Sequence, residues 1–243
     1  TESKVAEMPR VLNEVDSKAM LKAAGIPVVE TRFARNMKEA VATAKELGFP
    51  VALKVMSAEV IHKSDAGGVK LRLENPSQVE KAYSAMMASV KAMYPKAKID
   101  GVSVQKMARP GVEVIVGMSK DPQFGPVLMF GLGGVLVELL KDVAFRIVPV
   151  SKFDAAEMIR ETKGHRLLEG YRNQPLGDVA ALETALLRVS GMITAVPELA
   201  EMDLNPVKVL GPGQGVVVVD FRMRVERLDP DEAPELIDLP SVK

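Results

Sequence analysis

The stretch that most restricts the fold of this chain is residues 51–73. Val51, Leu53 and Val55 alternate with Ala52, Lys54 and Met56, and Val69, Leu71 and Leu73 alternate with Lys70 and Arg72. A period of two puts successive side chains on opposite faces, so both runs read as strands. Twelve residues, Ser57 to Gly68, join them in a loop that is polar through His62, Lys63, Ser64 and Asp65 and closes on Gly67-Gly68. Strands joined this directly read as a hairpin. Paired glycines can bring backbone N–H groups close to an anion because no Cβ intervenes, and Lys54 can add a point charge from the sheet. The same residues also suit an ordinary turn and a solvated strand face. On the hairpin alone both readings stand.

Composition narrows the rest. At 243 residues the chain can bury a core as one large domain or two lobes. Lys plus Arg equals Asp plus Glu at 32 each, so no net field draws it to nucleic acid or an anionic membrane. Trp is absent and Tyr occurs three times, too few aromatics for a base-stacking platform. Without Cys there is neither a disulfide nor thiolate chemistry. The polar N-terminal residues do not form a signal peptide. The most apolar run, Pro126 to Val137, is too short for a bilayer and is broken by three glycines. A soluble, cytoplasmic protein is expected.

Along the chain, Asn13 to Ala24 reads as a helix ending at Gly25, and Pro27 to Phe33 as a short strand. Asn36 and Glu39 form a capping-box pattern before a helix with Met37, Ala40, Val41, Ala44 and Leu47 on one face. Asn75-Pro76 opens a third helix, striped by Val79, Ala82, Tyr83, Met86, Val90 and Met93. Strands are then expected from Gly101, over Val112 to Met118, over Val127 to Phe130 and over Val135 to Leu140. Asp154 to Thr162 and Asp178 to Val196 read as helices. A last hairpin pairs residues from Glu201 with residues from Val216, turning through Gly211 to Gly215. The segment from Asp229 is acidic and proline-rich and is expected to be loosely held. Two lobes follow, 1–100 and 101–228, with a tail over 229–243. Neither a dinucleotide fingerprint nor a Walker lysine occurs.

Within the last hairpin, Asn205 and Asp220 interrupt apolar runs on adjoining strands. An amide and a carboxylate suit Mg²⁺ held jointly with substrate phosphates. A bend at Asn205-Pro206 and a strand end at Asp220 would explain them equally well in isolation.

Four ordered motifs resemble the ATP-grasp (β) component of ADP-forming acyl-CoA synthetases: Ile61-His-Lys-Ser-Asp-Ala-Gly-Gly-Val69, the stretch Phe130 to Pro149, Leu168-Leu-Glu-Gly-Tyr-Arg172 and Glu201-Met-Asp-Leu-Asn-Pro206. The likeness runs from about Leu12 to Arg227; Asn173 and Phe221 depart from the expected glycine and alanine. The resemblance implies an α+β ATP-grasp fold, each lobe a largely antiparallel sheet with helices, with nucleotide between the lobes. It implies the reaction acyl-CoA + ADP + phosphate ⇌ acid + CoA + ATP through a phosphohistidine. By resemblance, Lys54 grips the nucleotide phosphates, Gly67 and Gly68 belong to the phosphate loop, and Gln105, Lys106 and Met107 form the hinge that meets adenine. Glu113 would bind ribose, Arg146 would touch the transferring phosphate, and Asn205 and Asp220 would hold Mg²⁺. His62 would be the relay, its long loop letting it reach outward, with His165 a surface residue. The CoA-binding and ligase domains of the family are not in this sequence, so an α-type partner subunit and a hetero-oligomer are expected. Two alternatives differ in chemistry. A carboxylate ligase using an acyl-phosphate would need no histidine at position 62. A nucleotide-sensing module, like the ATP-grasp-like part of certain protein acetyltransferases, would tolerate loss of Lys54, Asn205 or Asp220.

Overall fold

The computed structural model describes residues 10–57, 59–60, 63–133, 141–171 and 176–227. The expected strand at Val135 to Leu140, the tail from Asp229 and His62 lie outside the described residues. In chain order the strands are β1 (Arg10–Val11), β2 (Thr31–Ala34), β3 (Val51–Met56), β4 (Val69–Leu73), β5 (Gly101–Lys106), β6 (Val112–Asp121), β7 (Gly125–Leu132), β8 (Val143–Ile147), β9 (Leu199–Val209), β10 (Val216–Val218) and β11 (Phe221–Val225). The helices are α1 (Glu14–Ala23), α2 (Met37–Leu47), α3 (Pro76–Met93), α4 (Lys152–Glu161) and α5 (Val179–Ala195). A 3₁₀ turn spans Lys163–Leu167. None of the described helices is long and apolar enough to cross a membrane.

Two units result, one of Val29–Arg109 and one of Thr1–Val28 with Pro110–Lys243. The boundaries differ from the lobes read in the sequence because the first residues leave the segment that follows them. β1 pairs antiparallel with β11, and Val218 N–H donates to Pro27 O at 2.8 Å.

In the smaller unit the sheet order is β2-β5-β3-β4, antiparallel throughout. Val51, Leu53, Val55, Val102 and Val104 form its core face, packed with Ala40, Ala44, Leu47, Val79, Ala82, Met86 and Val90 from α2 and α3. Each helix start is satisfied locally. Asn36 accepts from Glu39 N–H at 2.9 Å and Asn75 from Gln78 N–H at 3.0 Å. Glu39 reaches one residue further back than a capping box requires, to Arg35 N–H at 2.9 Å. Met93, expected in the buried stripe, is 54% exposed in the last turn of α3.

In the larger unit the sheet runs β1-β11-β9-β6-β7-β8, with β10 also on β9. Val114, Val116, Leu128, Phe130, Met202, Leu204 and Met223 point to one face and share a core with Leu21 of α1, Met158 of α4 and Leu182, Leu186 and Val189 of α5. The opposite face carries Glu113, Ser119, Glu201, Asp203, Asn205 and Arg222, all exposed.

Register decides the fate of Arg146. Leu128 pairs with Arg146 and Phe130 with Ala144, so Arg146 lies on the face covered by helices, while Phe145 and Ile147 project the other way. Its guanidinium donates to Glu161 at 2.6 Å and Glu157 at 3.0 Å on α4, with Asp154 at 3.9 Å. The bond to Glu161 foremost raises the Arg146 pKa. Glu161 is lowered from its ordinary 4.5, chiefly by that bond. Asp154 is lowered from 3.8, chiefly by its bond to the Ser151 hydroxyl.

Carboxylates whose folded pKa is depressed stabilise the fold above their ordinary pKa and lose that contribution as pH falls through the depressed value. Arg146→Met should therefore cost about 0.5–1 kcal/mol at neutral pH, the scale of a part-exposed ion-pair network. The gap between wild type and variant should close below about pH 4, as the carboxyls protonate. Chemical denaturation at a series of pH values measures both; a gap independent of pH would show that the arginine acts by packing alone.

Candidate functional site

On the small sheet, Lys54 lies directly opposite Ser103, Ser103 opposite Phe33, and Gln105 between Ala52 and Thr31. Directly opposed residues share a face. Lys54, Ser103 and Gln105 are thus gathered on the face away from α2 and α3. Gln105 is 4% and Ser103 3% exposed, with Lys54 half-buried.

Two described points of the loop after β3 are buried, Val60 at 2% exposed and Ala66 fully. Gly68 N–H donates to Lys63 O at 2.7 Å and Gly67 N–H to Ser64 O at 3.0 Å. Both amides are spent within the turn rather than turned to an anion. The glycines serve packing. A Cβ on Gly67 would stand 2.6 Å from Ser89 Oγ and one on Gly68 2.6 Å from Val55 Cγ1, and Gly67 has φ +67°. Ser89 on α3 donates to Ala66 O at 2.9 Å and so ties the foot of the loop to the helix.

The hinge residues are also occupied within their own unit. Lys106 Nζ donates to Leu47 O at 2.7 Å and Gly48 O at 3.0 Å, closing the C-terminus of α2 with a positive charge. Lys106 N–H donates to Glu30 O at 2.9 Å and Met107 N–H to Pro50 O at 3.1 Å. The Gln105 side chain shares a face with Lys54, while that of Lys106 does not.

On the large sheet, Asn205 N–H donates to Asp220 O at 3.0 Å, and Phe221 pairs with Leu204 in the next rung. Asn205 and Asp220 therefore sit side by side on the exposed face. Asp203 lies two residues before Asn205 and opposite Arg222 on β11 and Gly117 on β6. Restricted hydration foremost, then the charges of Asp220 and Glu201, raise the Asp203 pKa above its ordinary value; Arg222 pulls it back. Glu113 pairs with Lys208, its carboxylate 2.8 Å from the ammonium. Arg146 is not brought together with these groups, since it occupies the opposite face. Neither is His165, whose Nδ1 lies 2.7 Å from Thr162 O beside the 3₁₀ turn.

Among the described residues no three His, Asp or Glu side chains close around a metal. Asn205, Asp220 and Asp203 nevertheless fit a hard divalent cation: all are oxygen donors, and the charge of Asp220 disfavours an ionised Asp203. A set this sparse fits a cation whose remaining ligands come from water and phosphate. Asp203 is legible in the sequence, because Glu201, Asp203 and Asn205 alternate with Met202 and Leu204. Ser103 and Lys208 are not, because their importance comes from strand partners far away in the chain.

An ATP-grasp domain model matches residues 4–225. The chain is 43% identical over 223 residues to the acetate–CoA ligase [ADP-forming] II subunit beta of Pyrococcus furiosus, covering 91% of this chain and 94% of that one. It is 52% identical over 204 residues to acetate–CoA ligase [ADP-forming] I of Archaeoglobus fulgidus, covering 84% of this chain but 29% of that protein. The chain thus spans under a third of that longer relative. Among solved structures, a dinucleotide-forming acetyl-coenzyme A synthetase 1 of Ca. Korarchaeum cryptofilum, in complex with coenzyme A, Ca-AMPCP and HgCl+, superposes with a TM-score of 0.86 at 45% identity, covering 93% and 97% of the two chains. Another structure under that name holds coenzyme A and Mg-AMPPCP, its phosphohistidine segment pointing towards the nucleotide binding site (TM-score 0.77, 43% identity, 89% and 93% covered).

The Ser89 tether is open to a direct check. Ser89→Ala leaves the buried Ala66 carbonyl without its donor, which should cost about 1–2 kcal/mol. Faster amide hydrogen exchange at Gly67 and Gly68 should accompany it, measured in the ligand-free chain. Unchanged exchange at both glycines would show that the turn holds without the serine.

Proposed function

The chain belongs to the ATP-grasp family, and from that premise we propose that it is the nucleotide-binding, phosphoryl-transferring part of an ADP-forming acyl-CoA synthetase. The reaction is acyl-CoA + ADP + phosphate ⇌ acid + CoA + ATP. The observation that carries this reading is the Asn205–Asp220 rung on the exposed face of the large sheet, with Asp203 beside it. Three oxygen donors on an exposed face do nothing for the core, and a divalent cation offsets the mutual repulsion of Asp203 and Asp220.

Each residue then has a task set by its position. Lys54 presents its ammonium from β3 to the phosphates of ADP or ATP. Gln105, on the same face, orients the base, and Glu113, steadied by Lys208, offers its carboxylate to the ribose hydroxyls. Asn205 and Asp220 hold Mg²⁺, which when bound offsets the charge on the phosphates. His62 acts as the relay: its imidazole nitrogen forms an N–P bond as the donor of the partner releases the phosphoryl group. A terminal oxygen of ADP then attacks phosphorus, the N–P bond breaks and neutral imidazole is restored. Gly67, Gly68 and the Ser89 tether fix the segment that follows His62 in sequence. The CoA-binding and ligase functions would come from an α-type partner subunit, as the name of the Pyrococcus relative implies, or from the remainder of a longer chain, as in the Archaeoglobus relative.

Calorimetry and phosphoryl labelling test the reading in separate steps. Lys54→Ala should weaken ADP binding by about 1.5–3 kcal/mol, the size of a charge-assisted contact. Asp220→Asn should keep Mg²⁺-free affinity and lose most of the Mg²⁺ enhancement, since a hard cation prefers the carboxylate. With partner subunit, acyl-CoA and labelled phosphate supplied, label should appear on His62 and vanish in His62→Ala while ADP affinity persists. Activity surviving in His62→Ala would favour direct transfer from an acyl-phosphate instead.

A further inference from the structure

Ser103 sits in the middle of the small sheet, opposite Lys54 on one side and Phe33 on the other. The residue is 3% exposed, and its Oγ is buried without any hydrogen-bond partner. Its sequence neighbours Val102 and Val104 point to the opposite face, into the apolar core. A buried hydroxyl with no partner disfavours folding, because it gives up water and receives nothing in return. Alanine, already present at position 52 on the same face and 2% exposed, would occupy such a place without that cost.

We infer that the Ser103 hydroxyl serves a ligand: it donates a hydrogen bond to a phosphate oxygen of the nucleoside diphosphate that Lys54 holds. The inference rests on the nucleotide reading given above and adds a contact to it. Its geometry follows from the register. Directly opposed residues have Cβ atoms about 5 Å apart, so the hydroxyl lies at the root of the Lys54 side chain. The two side chains that flank it are rotatable rather than fixed backbone, Lys54 being half-buried and Phe33 48% exposed. A turn of the lysine stem towards a bound phosphate opens the hydroxyl to the same anion. A serine donor beside a lysine charge combines a directional bond with a non-directional one, which places the phosphate rather than merely attracting it.

The test titrates the whole chain with ADP and Mg²⁺, and separately with adenosine, in wild type, Ser103→Ala and Ser103→Cys. Both variants should bind ADP about 10–150-fold more weakly, the loss of one hydrogen bond to a charged group. Adenosine affinity should stay as in wild type, and the ligand-free melting temperature should be equal or higher, since an unpaired polar group has been removed. Cysteine fills nearly the volume of serine and donates poorly. ADP affinity restored in Ser103→Cys would therefore mark Ser103 as a packing residue and overturn the inference. So would undiminished ADP affinity in both variants, or parallel losses for ADP and adenosine. In those cases the nucleotide reading itself still stands; failure of the wild-type chain to bind ADP at all would remove both.

Discussion

Burial of one face of each sheet beneath helices is the constraint on which the rest depends. Val51, Leu53 and Val55 must meet α2 and α3, so Lys54 has no choice but to project from the other side. Met202 and Leu204 must meet the core of the larger unit, so Asp203 and Asn205 project outward. A slip of one residue in either strand would place a charge in the core and a valine or leucine in solvent. The polar side chains that matter are therefore located by the apolar ones next to them.

The same rule explains why Arg146 and its neighbours serve different ends. Ala144 and Arg146 share the covered face, and a guanidinium there is tolerable because Glu157 and Glu161 of α4 reach it. Phe145 and Ile147, apolar but each 54% exposed, take the other face. On β9 the alternation itself changes phase. The pairing with β6 shifts between Val114 and Val116, so Leu204 and Val207 both point inward with Asn205 and Pro206 between them. This irregularity puts Asn205 and Lys208 on one face, though two residues lie between them.

Glycines and a lysine show how residues with a functional look can be structural. Gly67 and Gly68 are needed because Ser89 and Val55 press against them, and their amides close a turn. The Lys106 ammonium closes the end of a helix. Lys54 and Gln105 differ in position: both lie on the sheet face away from α2 and α3.

Much of this was settled by the sequence alone: the helices, with their starts at Asn36 and Asn75, the hairpin strands, and the alternation of Lys54 with Val51, Leu53 and Val55. Caps and alternation act over a few residues, so they can be read locally. The tertiary structure alone decided what depends on pairing between distant segments. It joined residues 10–28 to the larger unit through β1 and β11, set Glu113 against Lys208, turned Arg146 to α4, and put the unpartnered hydroxyl of Ser103 beside Lys54. Strand register is chosen by the whole core at once, and no short stretch of chain carries it.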